Sequence, residues 1–305
     1  MEGPLTNRPL GDSCEDIVRQ LEATGDYRVL RRLRLSDHVE QADGSRTRIG
    51  MFLDVESTGL DIRHSEVLEL AITPFEYDAI GRIVSLGIPL HQFNEPSEPI
   101  PSEITAITGL TDQLVAGHRL DIDLVETFVE PADLIVAHNA SFDRPLVERL
   151  SPAFAHKPWG CTMCDVPWKE EGVEGRRLSD LLARFQYFFD AHRAVDDCEA
   201  GIALLAMKLP KSGERVMSRL LSAARTPTWR IFAEGAPFEA KDMLKHRGYK
   251  WNADRELGPR AWWKDASSQS VDDELEFLSE QIFENGVQLP VFEITAFQRY
   301  STRLR

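Results

Sequence analysis

Two carboxylates stand two residues apart in Asp54-Val55-Glu56, and Ser57-Thr58-Gly59-Leu60 follows. Side chains alternate along a strand, so this spacing puts Asp54 and Glu56 on one face. Two carboxylates on one side of a buried strand are costly unless a cation sits between them. Hard divalent ions such as Mg²⁺ or Mn²⁺ suit all-oxygen ligands. A plainer reading, two solvated acids at a strand end, also fits the pair taken alone. A third carboxylate, Asp143, closes His138-Asn139-Ala140-Ser141-Phe142-Asp143. It falls where the first turn of a helix is expected, and a helix dipole by itself favours an acid there. His192-Arg193-Ala194-Val195-Asp196-Asp197 adds a histidine and two acids where a loop enters a helix, and either acid could serve as a cap.

No single segment decides, but the three together supply four carboxylates and one histidine. Two divalent ions ~4 Å apart stabilise both the attacking and the leaving oxygen of a phosphodiester. His192 is placed to take a proton from an attacking water. Two such ions carry +4 against four carboxylates, which leaves the working face nearly neutral.

The elements that must position these residues follow from pattern. IGMFLDV (49–55) is an apolar run of strand formers stopped by STGLD. VLELAITPFEYD (67–78) and RIVSLGIPLHQF (82–93) are two further strand candidates, with AIG (79–81) as the hairpin turn between them. Residues 101–115 hold short helical pieces, and LDIDLVETFVEPA (120–132) has helical spacing. DLIVAHN (133–139) reads as a buried strand followed by an amphipathic helix over 141–150. PWGCTMCDV (158–166) is a strand candidate, and 176–185 and 196–209 read as helices. A meander followed by strands alternating with helices implies an α/β fold, a mixed sheet flanked by helices.

At the three acidic segments the chain resembles the DEDDh, or DnaQ-like, 3′-5′ exonuclease family, which includes the proofreading epsilon subunit of bacterial DNA polymerase III. The resemblance covers about residues 48–208. DVESTGL resembles the first motif, with Ser57 a mild departure from the usual threonine; it implies Asp54 and Glu56 as metal ligands. HNASFD resembles the second and implies Asp143 as a ligand, with Asn139 in support. HRAVDD resembles the third, H-x4-D, and implies His192 as general base and Asp197, rather than its neighbour Asp196, as the fourth ligand. Thr58, Gly59 and Leu60, with Leu60 as a wedge against the last base, are implied to contact the terminal nucleotide. Thr108, within IPSEITAITGLT, and Asn139 and Phe142 are implied to contact the same strand end. The implied fold is ribonuclease-H-like, with a mixed five-stranded sheet. The implied reaction is hydrolysis of the 3′-terminal phosphodiester of single-stranded or frayed DNA, assisted by two divalent ions, Mg²⁺ or Mn²⁺. It releases nucleoside 5′-monophosphates without a covalent enzyme intermediate. The motif wording favours DNA over RNA. The alternatives are a 3′-5′ exoribonuclease, and a replication accessory subunit that acts mainly by binding a polymerase or sliding clamp.

The chain has 305 residues, 35 basic against 50 acidic, for a formal charge of -15. A protein that grips nucleic acid by charge alone should be basic. Any nucleic-acid reading therefore rests on a local site or on bound metal. Residues 1–210 hold 20 basic and 36 acidic side chains, a net of -16. Residues 225–264 hold nine basic and five acidic, a net of +4, with four of the six tryptophans. The expected organisation is an N-terminal helical extension (1–47), a nuclease domain (48–210) and a small α+β module (226–305), divided near 211–226. No apolar run approaches the ~20 residues that span a bilayer, no secretory signal is visible, and four cysteines make no disulfide scaffold. A cytoplasmic location without membrane contact is the expectation.

In the module, a strand (229–233), a helix (238–247) and a strand (261–264) are the simple parse. Basic residues interleaved with aromatics can form a stacking platform for single strands. Large aromatics are also what a small domain needs for a core, and Trp229, Phe238, Trp251 and Trp262 are read mainly as that core. Lys245, Arg247, Lys250, Arg260 and Lys264 are the candidate phosphate contacts. Gln288-Leu289-Pro290-Val291-Phe292 resembles a sliding-clamp docking motif, although VFEIT also reads as a strand. Asp272 to Glu276 is read as a solvated helix face. Cys161-x-x-Cys164 lacks a second pair at zinc-site spacing and is read as two strand residues in a reduced protein.

Overall fold

The computed structural model describes residues 13–253, 258–283 and 288–303. Helix α1 (Ser13–Ala23) and a short strand β1 (Arg31–Arg32) precede the main sheet; residues 1–12 of the expected extension lie outside the described residues. The chain then forms β2 (Arg48–Ser57), β3 (Val67–Tyr77), β4 (Ile83–Leu86) and β5 (Leu90–Phe93). β2 and β3 pair antiparallel, and β4 and β5 both pair antiparallel with β3. The turn at 79–81 is the expected hairpin: Asp78 accepts from Ile80 N and Arg82 N, and Gly81 takes a φ of 77° that a side chain would resist. The expected single strand over 82–93 is broken into two at Gly87-Ile88-Pro89. A Cβ at Gly87 would meet the Pro74 ring at 2.8 Å, and Pro89 has no N–H for the ladder. The sheet therefore has six strands rather than five.

Short helices α2 (Ser102–Thr108), α3 (Asp112–Val115) and α4 (Ile122–Val129) lead into β6 (Leu134–Ala137). The α5 helix (Ala140–Leu150) follows at once, then β7 (Trp159–Cys161), α6 (Leu178–Arg184), β8 (Tyr187–Phe188) and α7 (Ala194–Ala206). β6 joins β2 in parallel and β7 joins β6, for a sheet order β4-β3-β2-β6-β7 with β5 also on β3. This is the ribonuclease-H-like mixed sheet flanked by helices. Phe52, Ala71 and Phe75 point to the face covered by α6 and α7. Met51, Leu53 and Val55 point to the face covered by α4 and α5. Gly201 lets α7 lie directly on the sheet, because a Cβ there would overlap the Phe52 ring.

A helix at the expected domain division, α8 (Val216–Arg225), was not foreseen. Its Val216, Met217, Leu220 and Leu221 are buried in the same core as α7, so the nuclease core runs past residue 210. The N-terminal boundary also shifts. β1 pairs in parallel with β8, and Leu35 is buried in that core.

The C-terminal unit has β9 (Thr228–Ala233), α9 (Lys241–His246), β10 (Lys250–Trp251), β11 (Trp262–Ala266), α10 (Val271–Gln281) and β12 (Val291–Ile294). Its sheet is antiparallel in the order β10-β11-β9-β12. The core is built from Ile231, Ala233, Leu244, Tyr249, Ala266 and Leu278. Three expected core aromatics are outside it: Trp229 is only half-buried, Phe238 is 75% exposed beneath Lys241, and Trp251 is 49% exposed, which leaves Trp262 packed against the core. Glu274 is not part of a solvated face. It is buried, and its carboxylate accepts from Lys264 at 2.6 Å, Arg247 at 3.0 Å and the Tyr249 hydroxyl at 3.2 Å. The clamp-like Val291 and Phe292 lie in the edge strand β12.

Candidate active site

Asp54 and Glu56 share the face of β2 that carries Phe52, the face covered by α7. Asp197 lies in the first turn of α7, above them. Ligand oxygens of Asp54, Glu56 and Asp197 lie within 4.8 Å of one another. Asp143 enters from the other side, in the first turn of α5. Its position follows from strand lengths. β2 pairs with β6 only as far as Phe52, so the N–H of Val55 is free, and Asp143 Oδ1 accepts it at 3.3 Å. The three segments thus converge at the end of the central strand.

Asp196 does not join them. It is exposed and lies in a separate surface hollow with Arg32, Phe189 and Glu199. Asp197 Oδ2 instead accepts from His192 N at 2.8 Å and Arg193 N at 3.1 Å. His192 has a φ of 69°, a left-handed backbone that costs a side-chain-bearing residue of order 1 kcal/mol or more. The loop is held in that shape by groups that sequence reasoning passed over. Glu69, fully buried on β3 opposite Glu56, accepts from Arg193 Nη2 at 3.2 Å and from Ala194 N at 3.4 Å, and lies 2.6 Å from His91 Nε2. The signal was present in the sequence as an acid in the middle of the apolar run VLELAI.

The electrostatics are those of crowded, dehydrated acids. Burial, then the charge of Asp143, raises Asp54 well above the usual carboxylate range. Burial and the Asp197 charge push Glu56 up to about 8. Burial pushes Asp143 up to about 7 and Asp197 to about 6, each against the pull of backbone N–H donors. Among the described residues none of the four has an ion-pair partner; the nearby Arg193 is paired to Glu69. A divalent cation, or a pair, fits this donor set: all-oxygen, anionic and lacking a counter-charge.

A pH dependence follows. The unfolded chain ionises these carboxyls near pH 4, whereas the folded, metal-free chain holds their protons to higher pH. Between those limits the folded state binds more protons, so its stability falls as pH rises. From about pH 5 to about pH 8.5, metal-free wild type should lose melting temperature relative to Asp54→Asn/Glu56→Gln. Thermal melts in EDTA would read this, and parallel curves for the two proteins would contradict it.

The implied substrate contacts divide. Leu60 is 87% exposed beside the carboxylates on the turn that ends β2. The Ser57 hydroxyl donates to Gly59 O at 2.7 Å, so the departure at Ser57 closes this turn. Thr58 Oγ1 accepts from Glu66 N at 2.9 Å. Asn139 caps α5, its carbonyl accepting from Phe142 N at 2.7 Å, and Phe142 is half-buried one residue before Asp143. Thr108 is buried and its hydroxyl serves the end of α2, donating to Ile104 O and accepting from Leu110 N. Its neighbour Ile107 is 56% exposed. In the C-terminal unit, Arg247 and Lys264 are held by Glu274, while Lys245, Lys250 and Arg260 are exposed.

Residues 51–205 match the exonuclease family. The PolC-type DNA polymerase III of Listeria monocytogenes is 32% identical over 171 residues, which span 53% of this chain and 11% of that protein. The matched stretch is thus about a tenth of that relative's length. Among solved structures, exonuclease X in complex with 5′-overhanging duplex DNA is 24% identical over 57% of this chain and 99% of its own, with a TM-score of 0.43. Escherichia coli exonuclease I with a dA16 oligonucleotide is 15% identical over 77% of this chain and 71% of its own, with a TM-score of 0.49. The chain belongs to the exonuclease family, as its three DnaQ-like motifs indicate. Among the described residues no helix is long and apolar enough to cross a membrane.

Proposed function

We propose that this chain is a 3′-5′ exonuclease that hydrolyses the 3′-terminal phosphodiester of single-stranded or frayed DNA and releases nucleoside 5′-monophosphates. The observation that carries the reading is the convergence of four acids from three segments, without a counter-cation among the described residues, in a chain of the exonuclease family. In this reading Asp54, Glu56, Asp143 and Asp197 hold two Mg²⁺ or Mn²⁺ ions, which supply positive charge for the attacking and leaving oxygens. His192 takes the proton from the attacking water. Asp197 accepts two backbone N–H bonds from the His192 loop, so it supports the base as well as holding metal. Leu60 wedges against the terminal base, where its exposed side chain loses water on contact. Thr58, Gly59, Asn139 and Phe142 line the strand end around it. Thr108 contributes to this surface by shaping α2.

The assignment within the third motif has a direct check. Asp197→Asn should lose roughly 10²-fold or more in kcat, whereas exposed Asp196→Asn should stay within about threefold of wild type. Equal activity of Asp197→Asn and wild type would overturn the ligand assignment. The reaction itself is tested by its products. Digestion of an internally labelled DNA strand should release nucleoside 5′-monophosphates from the first time point. Release of 3′-monophosphates or of long internal fragments would overturn the reading. A chain acting mainly as a polymerase- or clamp-binding subunit would release little of either when isolated.

A further inference from the structure

A cleft of about 700 Å³ lies where the nuclease core meets the C-terminal sheet. One end is formed by Ile62 and Ser141, two residues beyond Leu60 and two before Asp143. Arg149 donates to the Ile62 carbonyl at 2.6 Å, which ties the end of the first motif to α5. The far wall is Arg230, Lys250 and Trp263, from β9, β10 and β11.

We propose that this cleft is a binding track for single-stranded nucleic acid, in which the C-terminal sheet holds the strand upstream of the end being cut. The proposal rests on the exonuclease reading and extends it to a substrate several nucleotides long. Among the described residues, Lys250 is the free cation of this wall. It is exposed and has no ion-pair partner among the described residues, and its Nζ lies 5.3 Å from the centre of the Trp263 ring. The other cation on this wall is spoken for: Asp265 holds the Arg230 guanidinium at 2.7 and 2.8 Å, over Trp263. A single unpaired ammonium beside an aromatic ring suits a phosphate with a base next to it. Thr228 and Thr302 line the same cleft and carry hydroxyls that suit bonds to a sugar–phosphate backbone, whereas the hydroxyls of Thr226 and Ser301 already donate to Ser222 O and Glu148. Of the basic window, Arg230 and Lys250 reach this cleft; Arg299 joins them, and Asp165 and Asp265 also line it.

The cleft is also pre-formed. After β12 the chain crosses back to α5, where Arg144, fully buried, donates to the carbonyls of Phe297 at 2.6 Å, Arg299 at 2.7 Å and Ala296 at 3.2 Å. Glu148 accepts from Ser301 at 2.7 Å and Arg303 at 3.0 Å. The helix that carries Asp143 therefore also anchors the C-terminal unit. A strand bound across both would not have to order the wall it lies on.

Cys164 provides a reporter. It lines the cleft and is exposed, whereas Cys161 and Cys198 are buried and Cys14 is half-buried. The neighbouring Cys161 thiol lowers the Cys164 thiol to about 7, which favours its reactive thiolate near neutral pH. The full chain, in EDTA to prevent turnover, would be treated with iodoacetamide while binding of dT20, rU20 or dT3 is followed by fluorescence anisotropy. Peptide mass spectrometry would read the rate at Cys164. Bound dT20 or rU20 should slow it at least about fivefold, and dT3 should not. The two 20-mers also report whether the track distinguishes DNA from RNA. In addition, Lys250→Glu should lower the ratio of kcat/KM for dT20 to that for dT3 about tenfold, and should reduce the salt slope of dT20 binding by about one. Failure of dT20 to bind, an unprotected Cys164 in the complex, or an unchanged ratio would each overturn the track. If wild type cuts neither dT20 nor dT3 with Mg²⁺ or Mn²⁺, the exonuclease reading fails instead. The protection measurement, which needs no turnover, decides the track in either case.

Discussion

Asp54→Asn should lower kcat by roughly 10³-fold or more, because a lost metal site removes several kcal/mol of transition-state charge stabilisation and each 1.36 kcal/mol is tenfold in rate. The same substitution should raise the melting temperature of the metal-free protein. Asp54 is the most crowded of the four acids: it is buried, and Asp143, Asp197 and Glu56 all oppose its charge. A neutral amide of the same shape relieves that repulsion. Added Mn²⁺ should then stabilise wild type, as a ligand that binds only the folded chain must, and stabilise the variant less. The opposite signs separate this account from misfolding, which would lower activity and melting temperature together. Melting curves with EDTA and with Mn²⁺, beside initial rates, check all three signs. Activity of Asp54→Asn within tenfold of wild type would remove Asp54 from the metal site.

His192→Gly should lower kcat by about 10²–10⁴-fold with KM for dT20 little changed, because the imidazole acts on the proton of water and not on the strand. Glycine is the informative choice. His192 stands at a φ of 69°, where alanine keeps the strain and glycine relieves it. The folded loop, with its two bonds to Asp197 from the backbone, survives in the glycine variant. A loss of rate there is a loss of the ring. Steady-state kinetics of His192→Gly and His192→Ala side by side, with added imidazole as a rescue, measure it. Full activity of the glycine variant would mean that His192 matters only for its backbone.

The carboxylate site was legible because strand alternation and motif spacing are local. Asp54 and Glu56 fall on one face by parity, and Asp197 rather than Asp196 lies with them at the start of α7. What sequence reasoning missed depends on partners far along the chain. Glu69 is explained only by Arg193, 124 residues away, and Arg144 only by carbonyls beyond residue 295. Glu274 sits in an acidic run that reads as solvated, yet folding brings Arg247 and Lys264 onto it. Periodicity cannot reveal such pairs. The same limit explains Phe238, an aromatic in a small domain that the core did not need. The broken strand at Gly87-Ile88-Pro89 was readable in principle, since a proline in a strand run is itself a break signal. The helix α8 was masked by the polar residues KSGER before it and TPT after it. Its apolar stripe of Val216, Met217, Leu220 and Leu221 has clear helical spacing.

We propose that four converging acids make this chain a metal-dependent enzyme acting from the 3′ end. The most direct measurement is a paired digestion of 5′-labelled single-stranded DNA and the matching RNA, with Mg²⁺, Mn²⁺ or EDTA, beside an Asp54→Ala/Glu56→Ala control. The expected result is a ladder that shortens from the 3′ end in either metal, faster on DNA, and absent in EDTA and in the control. A ladder that persists in EDTA or in the control, or no ladder with either polymer and either metal, would contradict it.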